Sequence, residues 1–183
     1  MPAGNMNLKE KYQKKAVPEL KKKFGFKSDM AAPRLIKAVV NVGLGTRYDA
    51  AQKDIIKKHL ALITGQKPAD KKAKKSIASF KIRKGAAIGL AVTLRSKRMY
   101  DFLDKMINVA LPRMRDFRGL ALKSVDKSGN LTIGFKEQTI FPEVIQETER
   151  MNFGLEATVV TNAKTPEQAI ELFKLLGFPF AKK

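Results

Sequence analysis

The residues with chemical potential in this chain are mostly cations. The 183-residue sequence carries 37 Lys+Arg against 17 Asp+Glu, a net charge of +20. Three runs concentrate it. Lys9 to Lys27 holds 8 basic and 2 acidic residues, Lys67 to Lys84 holds 8 and 1, and Arg95 to Lys123 holds 8 and 3. From Phe135 to Leu172 the balance reverses, with 3 basic and 7 acidic residues. Lys and Arg in this density neutralise phosphates and release counterions, so the pattern points to a polyanion, nucleic acid before a membrane surface. One such run could be a solvated helix face; three runs with an acidic counter-region are not explained that way.

Catalytic chemistry finds no comparable support. There is no cysteine, which removes thiolate metal sites, iron–sulfur ligation and Cys nucleophiles. A single His rules out His-rich metal sites. Gly43-Leu44-Gly45 runs into Thr46, Arg47 and Tyr48, matching neither the dinucleotide fingerprint nor the phosphate loop. Glu143, Glu147 and Glu149 suit a solvated or partner-facing surface better than acid–base work. No metal, cofactor or small-molecule substrate is called for. The apolar run Gly85 to Val92 is too short to span a bilayer, and no signal peptide is visible.

Hydrophobic residues make up 44% of the chain, enough for a packed core. Leu8, Tyr12, Ala16, Leu20 and Phe24 recur every four residues and predict a helix, with Pro18 dividing it. Residues Arg34 to Leu44 predict a strand. Alternation sets Ile36, Ala38, Val40, Val42 and Leu44 against Lys37, Val39 and Asn41. Asp49 and Gln52 form a capping box for a helix carrying Ile55, Ile56, Leu60 and Ile63, with His59 at its boundary. Ile77 to Arg83 and Leu90 to Arg95 predict a hairpin turning at Lys84 to Ala87. In its second strand, Leu90, Val92 and Leu94 oppose Ala91, Thr93 and Arg95. A helix from Ser96 to Ala110 ends at Pro112. Two short strands follow, Leu122 to Asp126 and Leu131 to Phe135, then an irregular or partly helical stretch over Ile140 to Met151. A strand spans Leu155 to Thr161. Thr165-Pro166 opens a last helix, which Gly177 ends.

This order predicts one α+β domain over residues 1–183, with residues 1–6 a loose extension. It reads as a two-layer sandwich: an antiparallel-rich sheet with helices on one face. The other face, carrying Lys37, Asn41, Thr93 and Arg95, would be open to grip folded RNA.

Several segments together resemble the bacterial type of the large-subunit ribosomal protein five family, the universal 5S rRNA-binding proteins. They are Pro33-Arg34 with Asn41-Val42-Gly43; Thr64 to Pro68; Lys72 to Arg83; Val92 to Arg95; Pro112 to Leu120, containing Arg-Asp-Phe-Arg-Gly; and Glu137 to Glu143, containing Gln-x-x-Phe-Pro-Glu. The resemblance implies a cytoplasmic, non-catalytic constituent of the large ribosomal subunit. Its implied partners are 5S rRNA, large-subunit rRNA, peptidyl-site tRNA and a small-subunit head protein, with no membrane partner. It carries 5S rRNA contacts onto Asn41, Gln66, Phe80, Thr93 and Arg95. Lys37, Lys67, Lys71, Lys72, Lys74, Lys75 and Lys81 are then the expected phosphate contacts. Arg83, Lys84 and Gly85 fall in the loop that reaches tRNA; Ala86 and Ala87 stand where the family often has an aromatic residue and a proline. Arg113, Arg115 and Arg118 fall near the intersubunit bridge, or form an Arg–Asp network around Asp116 that stiffens the loop. Phe80 has two placements: in the core with Ala78 and Ile82, or against RNA through an irregular strand. The rival classes are a nucleic-acid-modifying enzyme, which lacks a catalytic constellation, and a general basic DNA-compacting or membrane-surface protein.

Overall fold

The computed structural model describes residues 6–115, 117–145 and 151–181. Asp116, Glu147 and Glu149 lie outside the described residues, as do residues 1–5 of the expected extension. The protein is α+β, built on a five-stranded antiparallel sheet with helices. The strands are β1 (Leu35–Gly43), β2 (Ala69–Lys72), β3 (Ala87–Leu94), β4 (Leu131–Phe135) and β5 (Leu155–Thr161), in the order β2-β3-β1-β5-β4. Burial alternates along β4, β5 and the Leu90–Leu94 part of β3, as period-two patterning requires. No helix among the described residues is long and apolar enough to cross a membrane.

The chain divides into two compact units. The first takes in Met1–Ala38, Arg95–Ile133 and Thr158–Lys183. Here α1 (Leu8–Lys11), a π-turn (Tyr12–Ala16) and α2 (Val17–Phe24) run on without a break. Pro18 does not split this helix. It lacks the N–H that would close a regular turn, and the widened turn just before it absorbs the mismatch: Val17 N–H donates to Tyr12 C=O, five residues back. The same device recurs before Pro112. There α4 (Ser96–Lys105) passes through a π-turn (Met106–Ala110) into α5 (Leu111–Arg113). Helix α7 (Pro166–Leu176) starts where its sequence says, with Thr165 Oγ1 accepting the Gln168 N–H at 3.4 Å. Lys11 Nζ donates to Leu176 C=O at 2.8 Å, fastening α1 to the end of α7. Leu20, Leu103, Met106 and Phe173 fill this core.

The second unit takes in Val39–Leu94 and Gly134–Ala157. Its main helix is α3 (Ala50–Thr64), opened by Gln52 Oε1 accepting the Asp49 N–H at 3.0 Å. The short α6 (Pro142–Ile145) packs on it. Ile56, Leu60, Ile63, Leu90, Leu94 and Phe141 are fully buried. His59 is not a boundary residue: it is buried and stacks on Phe153, with ring centroids 6.2 Å apart. Its helical position turns it toward a face that Phe153 covers from 94 residues further along the chain, which local spacing could not reveal.

Three further expectations fail. Ile36 is exposed while Leu35 is buried, so the inward row of β1 begins at Ala38. Leu122 to Asp126 is not a strand. Leu122–Ser124 is a 3-10 turn, and only Val125 bridges Leu131. The cause is local: Asn130 donates its backbone N–H to Asp126 Oδ1 at 2.8 Å and its side-chain N–H to Oδ2 at 2.9 Å, closing a tight turn. Ile77 to Arg83 is not a strand either, and that difference bears on the site.

Candidate nucleic-acid interface

The strand partner of β3 is β2, not Ile77 to Arg83. Ala69 pairs with Ala91, Asp70 with Leu90 and Lys71 with Gly89, and a bulge falls between Lys71 and Lys72. Gly89 suits this close crossing, since a Cβ there would lie 3.1 Å from the Val42 carbonyl oxygen of β1. Every residue of β2 is exposed. Lys71 and Lys72 therefore sit on an exposed edge, where charge also discourages pairing with another chain.

Between β2 and β3 the chain makes a closed excursion over residues 73–86. Its base is pinned by Ala73 N–H to Ala86 C=O and Gly85 N–H to Ala73 C=O, both 2.9 Å. Nearer the tip, Ile77 and Ile82 exchange backbone hydrogen bonds of 2.9 and 3.1 Å. A 3-10 turn over Ala78–Phe80 forms the tip, and Lys81 ends it in a left-handed conformation, φ 53°. Alternation between Ile77 and Arg83 is thus a pattern of side-chain types on a folded loop. The outcome for Phe80 is plain: it is 64% exposed and not in the core. Lys74, Lys75, Lys81, Arg83 and Lys84 lie on the same loop, all exposed. Arg83, Lys84 and Gly85 are near the pinned base rather than the tip. Gly85 N–H is spent on Ala73, and Lys84 N–H donates to Ser76 Oγ at 2.9 Å.

The second unit also brings together two residues that are 27 apart in sequence. Gln66 Nε2 donates to the Thr93 carbonyl at 3.3 Å. Thr64 Oγ1 donates to Leu60 C=O at 2.7 Å and to Gln66 C=O at 3.1 Å, which fixes the exit from α3 where Gln66 stands. Thr93 is half-buried on the outward row of β3. Asn41 is exposed on the neighbouring strand β1, its amide unengaged among the described residues. Four of the five expected 5S rRNA residues, Asn41, Gln66, Phe80 and Thr93, thus belong to the second unit. Lys67, Lys71, Lys72, Lys74, Lys75 and Lys81 belong to it as well.

The remaining expected residues lie in the first unit. Arg95 is exposed where the chain enters α4. Lys37 is half-exposed on β1. Arg113, Arg115 and Arg118 are not buried, and the loop they occupy closes on Gly119, φ 102°. Leu120 N–H donates to Pro179 C=O at 2.7 Å, and Ala181 N–H donates to Leu120 C=O at 3.0 Å. The C-terminal segment is thereby strapped to the end of the arginine loop.

The Gly43 to Arg47 turn lines a shallow cleft and is no phosphate cradle at its start. Leu44 and Gly45 both donate their N–H groups to Ile88 C=O, at 2.9 and 3.0 Å. Gln138 is a residue whose role the sequence conceals. It is buried, donates through Nε2 to Met151 C=O, and accepts the Phe153 N–H at 2.9 Å through Oε1. One side chain thus ties the start of the acidic region to the chain at Met151 and Phe153. A Gln opening a 3-10 turn before Phe141-Pro142 is the only local signal.

An α+β protein with a lysine-rich loop, an exposed aromatic at its tip and outward amides has the makings of an RNA-binding component of a ribonucleoprotein. Comparison with known proteins gives that class its identity. Residues 28–83 match the family described as ribosomal protein L5, and residues 87–180 match the C-terminus of the same ribosomal protein family. The large ribosomal subunit protein uL5 of Carboxydothermus hydrogenoformans is 49% identical, over 96% of this chain and 98% of its own. That of Thermus aquaticus is 52% identical, over 96% and 97%, and that of Streptococcus sanguinis 51%, over 96% and 98%. The chain belongs to the ribosomal protein L5 family. It is a structural, rRNA-associated constituent of the large ribosomal subunit and not an enzyme.

Proposed function

We propose that 5S rRNA is held mainly by the second unit, with Arg95 and Lys37, which adjoin it in the chain, adding charge. The observation that carries this reading is the Gln66 amide fixed on the Thr93 backbone, with an unengaged Asn41 amide on the adjoining strand. In this reading the Asn41 amide and the free side of the site read ribose hydroxyls and base edges. Arg95 adds a bidentate cation where β3 ends. Phe80 offers an exposed ring for stacking, worth about 1–3 kcal/mol per base in single-stranded contacts. Lys37, Lys67, Lys71, Lys72, Lys74, Lys75 and Lys81 neutralise phosphate and supply most of the affinity, without sequence information.

The same reading gives peptidyl-site tRNA to the loop over residues 73–86, through the side chains of Arg83 and Lys84, with Gly85, whose N–H is held by Ala73, contributing only a close approach. It gives the small-subunit head protein to Arg113, Arg115 and Arg118. Large-subunit rRNA takes the remaining basic surface. The test is sedimentation of the tagged protein with large subunits at moderate salt, followed by identification of the RNA that stays bound to it after subunit disassembly. Retention of 5S RNA in preference to duplex DNA of equal length is the expected result. Equal retention of both would replace this reading with a general polyanion binder.

A further inference from the structure

The first unit contains a cleft that the 5S reading does not use. Its volume is about 400 Å³, and it is lined by Lys9, Arg34, Leu35, Ile36, Ser96, Lys97, Met99 and Tyr100. Leu35 and Met99 are buried and form an apolar floor. Ile36, displaced from the core row of β1, stands 44% exposed in the wall. Tyr100 is half-buried; burial raises its phenol above its ordinary range, while the charge of Arg34 works the other way. The cleft thus joins a planar aromatic and a greasy floor to three cations.

Those cations are not compensated. Lys9, Arg34 and Lys97 make no ion pair among the described residues, and no carboxylate lines the cleft. Of the acids on the flanking segments, Glu10 pairs with Lys14 at 3.7 Å and Asp29 with Lys21 at 2.6 Å. Arg34 is also held in place. Its backbone N–H donates to Asn162 Oδ1 at 2.6 Å, and its backbone C=O accepts the Asn162 N–H at 3.2 Å, which fixes the main chain from which the guanidinium extends. The first residue of α4, Ser96, sits at φ 50°, and that helix has no side-chain cap.

We infer that this cleft takes one unstacked nucleotide of ribosomal RNA, its base against Ile36, Met99 and Tyr100 and its phosphate on Lys9, Arg34 and Lys97. A base inside a duplex could not present its face to the floor, so the nucleotide is extrahelical or single-stranded. An acidic peptide would satisfy the cations but leave the apolar floor and the aromatic ring without a planar partner. A second nucleotide site also suits a chain whose first unit carries two of the three basic runs.

The test uses the full chain assembled into large subunits. Ultraviolet cross-linking followed by peptide mass spectrometry maps nucleotide adducts. The expected result is a nucleotide adduct on the peptide that holds Tyr100. The sequence of the attached RNA tells whether 5S or large-subunit rRNA supplies the nucleotide. Arg34→Ala, an exposed change, should reduce that adduct several-fold while leaving adducts near Phe80 unchanged. It should also lower the salt dependence of binding to large-subunit rRNA by about 0.7 in the log–log slope, the value for one single-strand phosphate. Tyr100→Phe keeps the ring and should keep the adduct. Absence of any adduct on residues 96–100, with adducts present near Phe80, would overturn the cleft and leave the 5S reading standing. A protein cross-link at Tyr100 in place of RNA would overturn it in favour of an acidic partner. Loss of adducts near Phe80 alone would count against the 5S reading and not against the cleft.

Discussion

Gly119→Ala tests how the arginine loop is held. At φ 102° this residue lies where only glycine is comfortable, and a side chain there costs about 1–3 kcal/mol in backbone strain. A Cβ would also stand 2.5 Å from Ala181 N, 2.7 Å from Ala181 Cα and 2.9 Å from Phe180 C. Ordinary contacts between such atoms are about 3.5–4.0 Å, and backbone cannot rotate aside as a side chain can. The C-terminal strap is fastened at this point by two backbone hydrogen bonds, Leu120 to Pro179 and Ala181 to Leu120. Together they are worth about 1–3 kcal/mol net. The overlap exceeds what the strap can resist, so the strap should lift while the unit stays folded. Lifting should stop at Phe178, which is buried, packs edge-on to Phe173 at 5.1 Å, and donates its N–H to Phe173 C=O at 3.0 Å. Amide hydrogen exchange should show lost protection at Leu120 and Ala181 and retained protection at Phe178. Urea unfolding should show a loss of about 1–3 kcal/mol. Gly134→Ala, where a Cβ meets open space, should fall within about 0.5 kcal/mol of wild type. Unchanged protection at Leu120 and Ala181 in Gly119→Ala would show that the strap is not held by the close approach at Gly119.

Other outcomes follow from buried and titrating groups. Gln138→Ala leaves the buried Phe153 N–H without its acceptor and should cost about 2–4 kcal/mol in urea unfolding; Gln138→Met, which restores volume but not polarity, should recover little of it. Asp126 is held below its ordinary value of 3.8, first by the Asn130 backbone N–H and further by the Asn130 side chain. A lowered folded-state value means that its contribution is present above the unfolded carboxylate range and lost as pH falls through the folded value. Unfolding midpoints from about pH 6 down to about pH 2 should therefore drop more for wild type than for Asp126→Asn. Phe80→Ala should leave stability within about 1 kcal/mol, because the ring is mostly in solvent, and a larger loss would show that it supports the fold.

Where local chemistry decides the backbone, the sequence is enough. Thr165-Pro166 begins its helix as expected, and the alternation of Leu155 to Thr161 and of Leu90 to Leu94 matches burial residue by residue. Where a partner distant in the chain decides, it is not. Nothing around His59 announces that Phe153 covers it. Nothing around Gln66 announces Thr93, although the family resemblance names both. Ile77 to Arg83 alternates like a strand, yet the Ala73–Ala86 closure and the left-handed Lys81 make it a loop. Prolines mislead differently. Pro18 and Pro112 read as breaks, but a π-turn ahead of each lets the helix continue. The cleft beside Tyr100 needs three segments, around Lys9, Arg34 and Ser96, that no spacing rule connects.

The central claim is that specificity for 5S rRNA lies in a few polar groups of the second unit, on top of a nonspecific charge of +20. Its most direct test is the affinity of purified protein for 5S rRNA at fixed moderate salt. Asn41→Ala, in the second unit, is compared with Arg115→Ala, in the first, after both are shown to unfold like wild type. Asn41→Ala should weaken binding by about 1–3 kcal/mol while Arg115→Ala stays close to wild type. Unchanged affinity for Asn41→Ala, or a loss confined to Arg115→Ala, would contradict it.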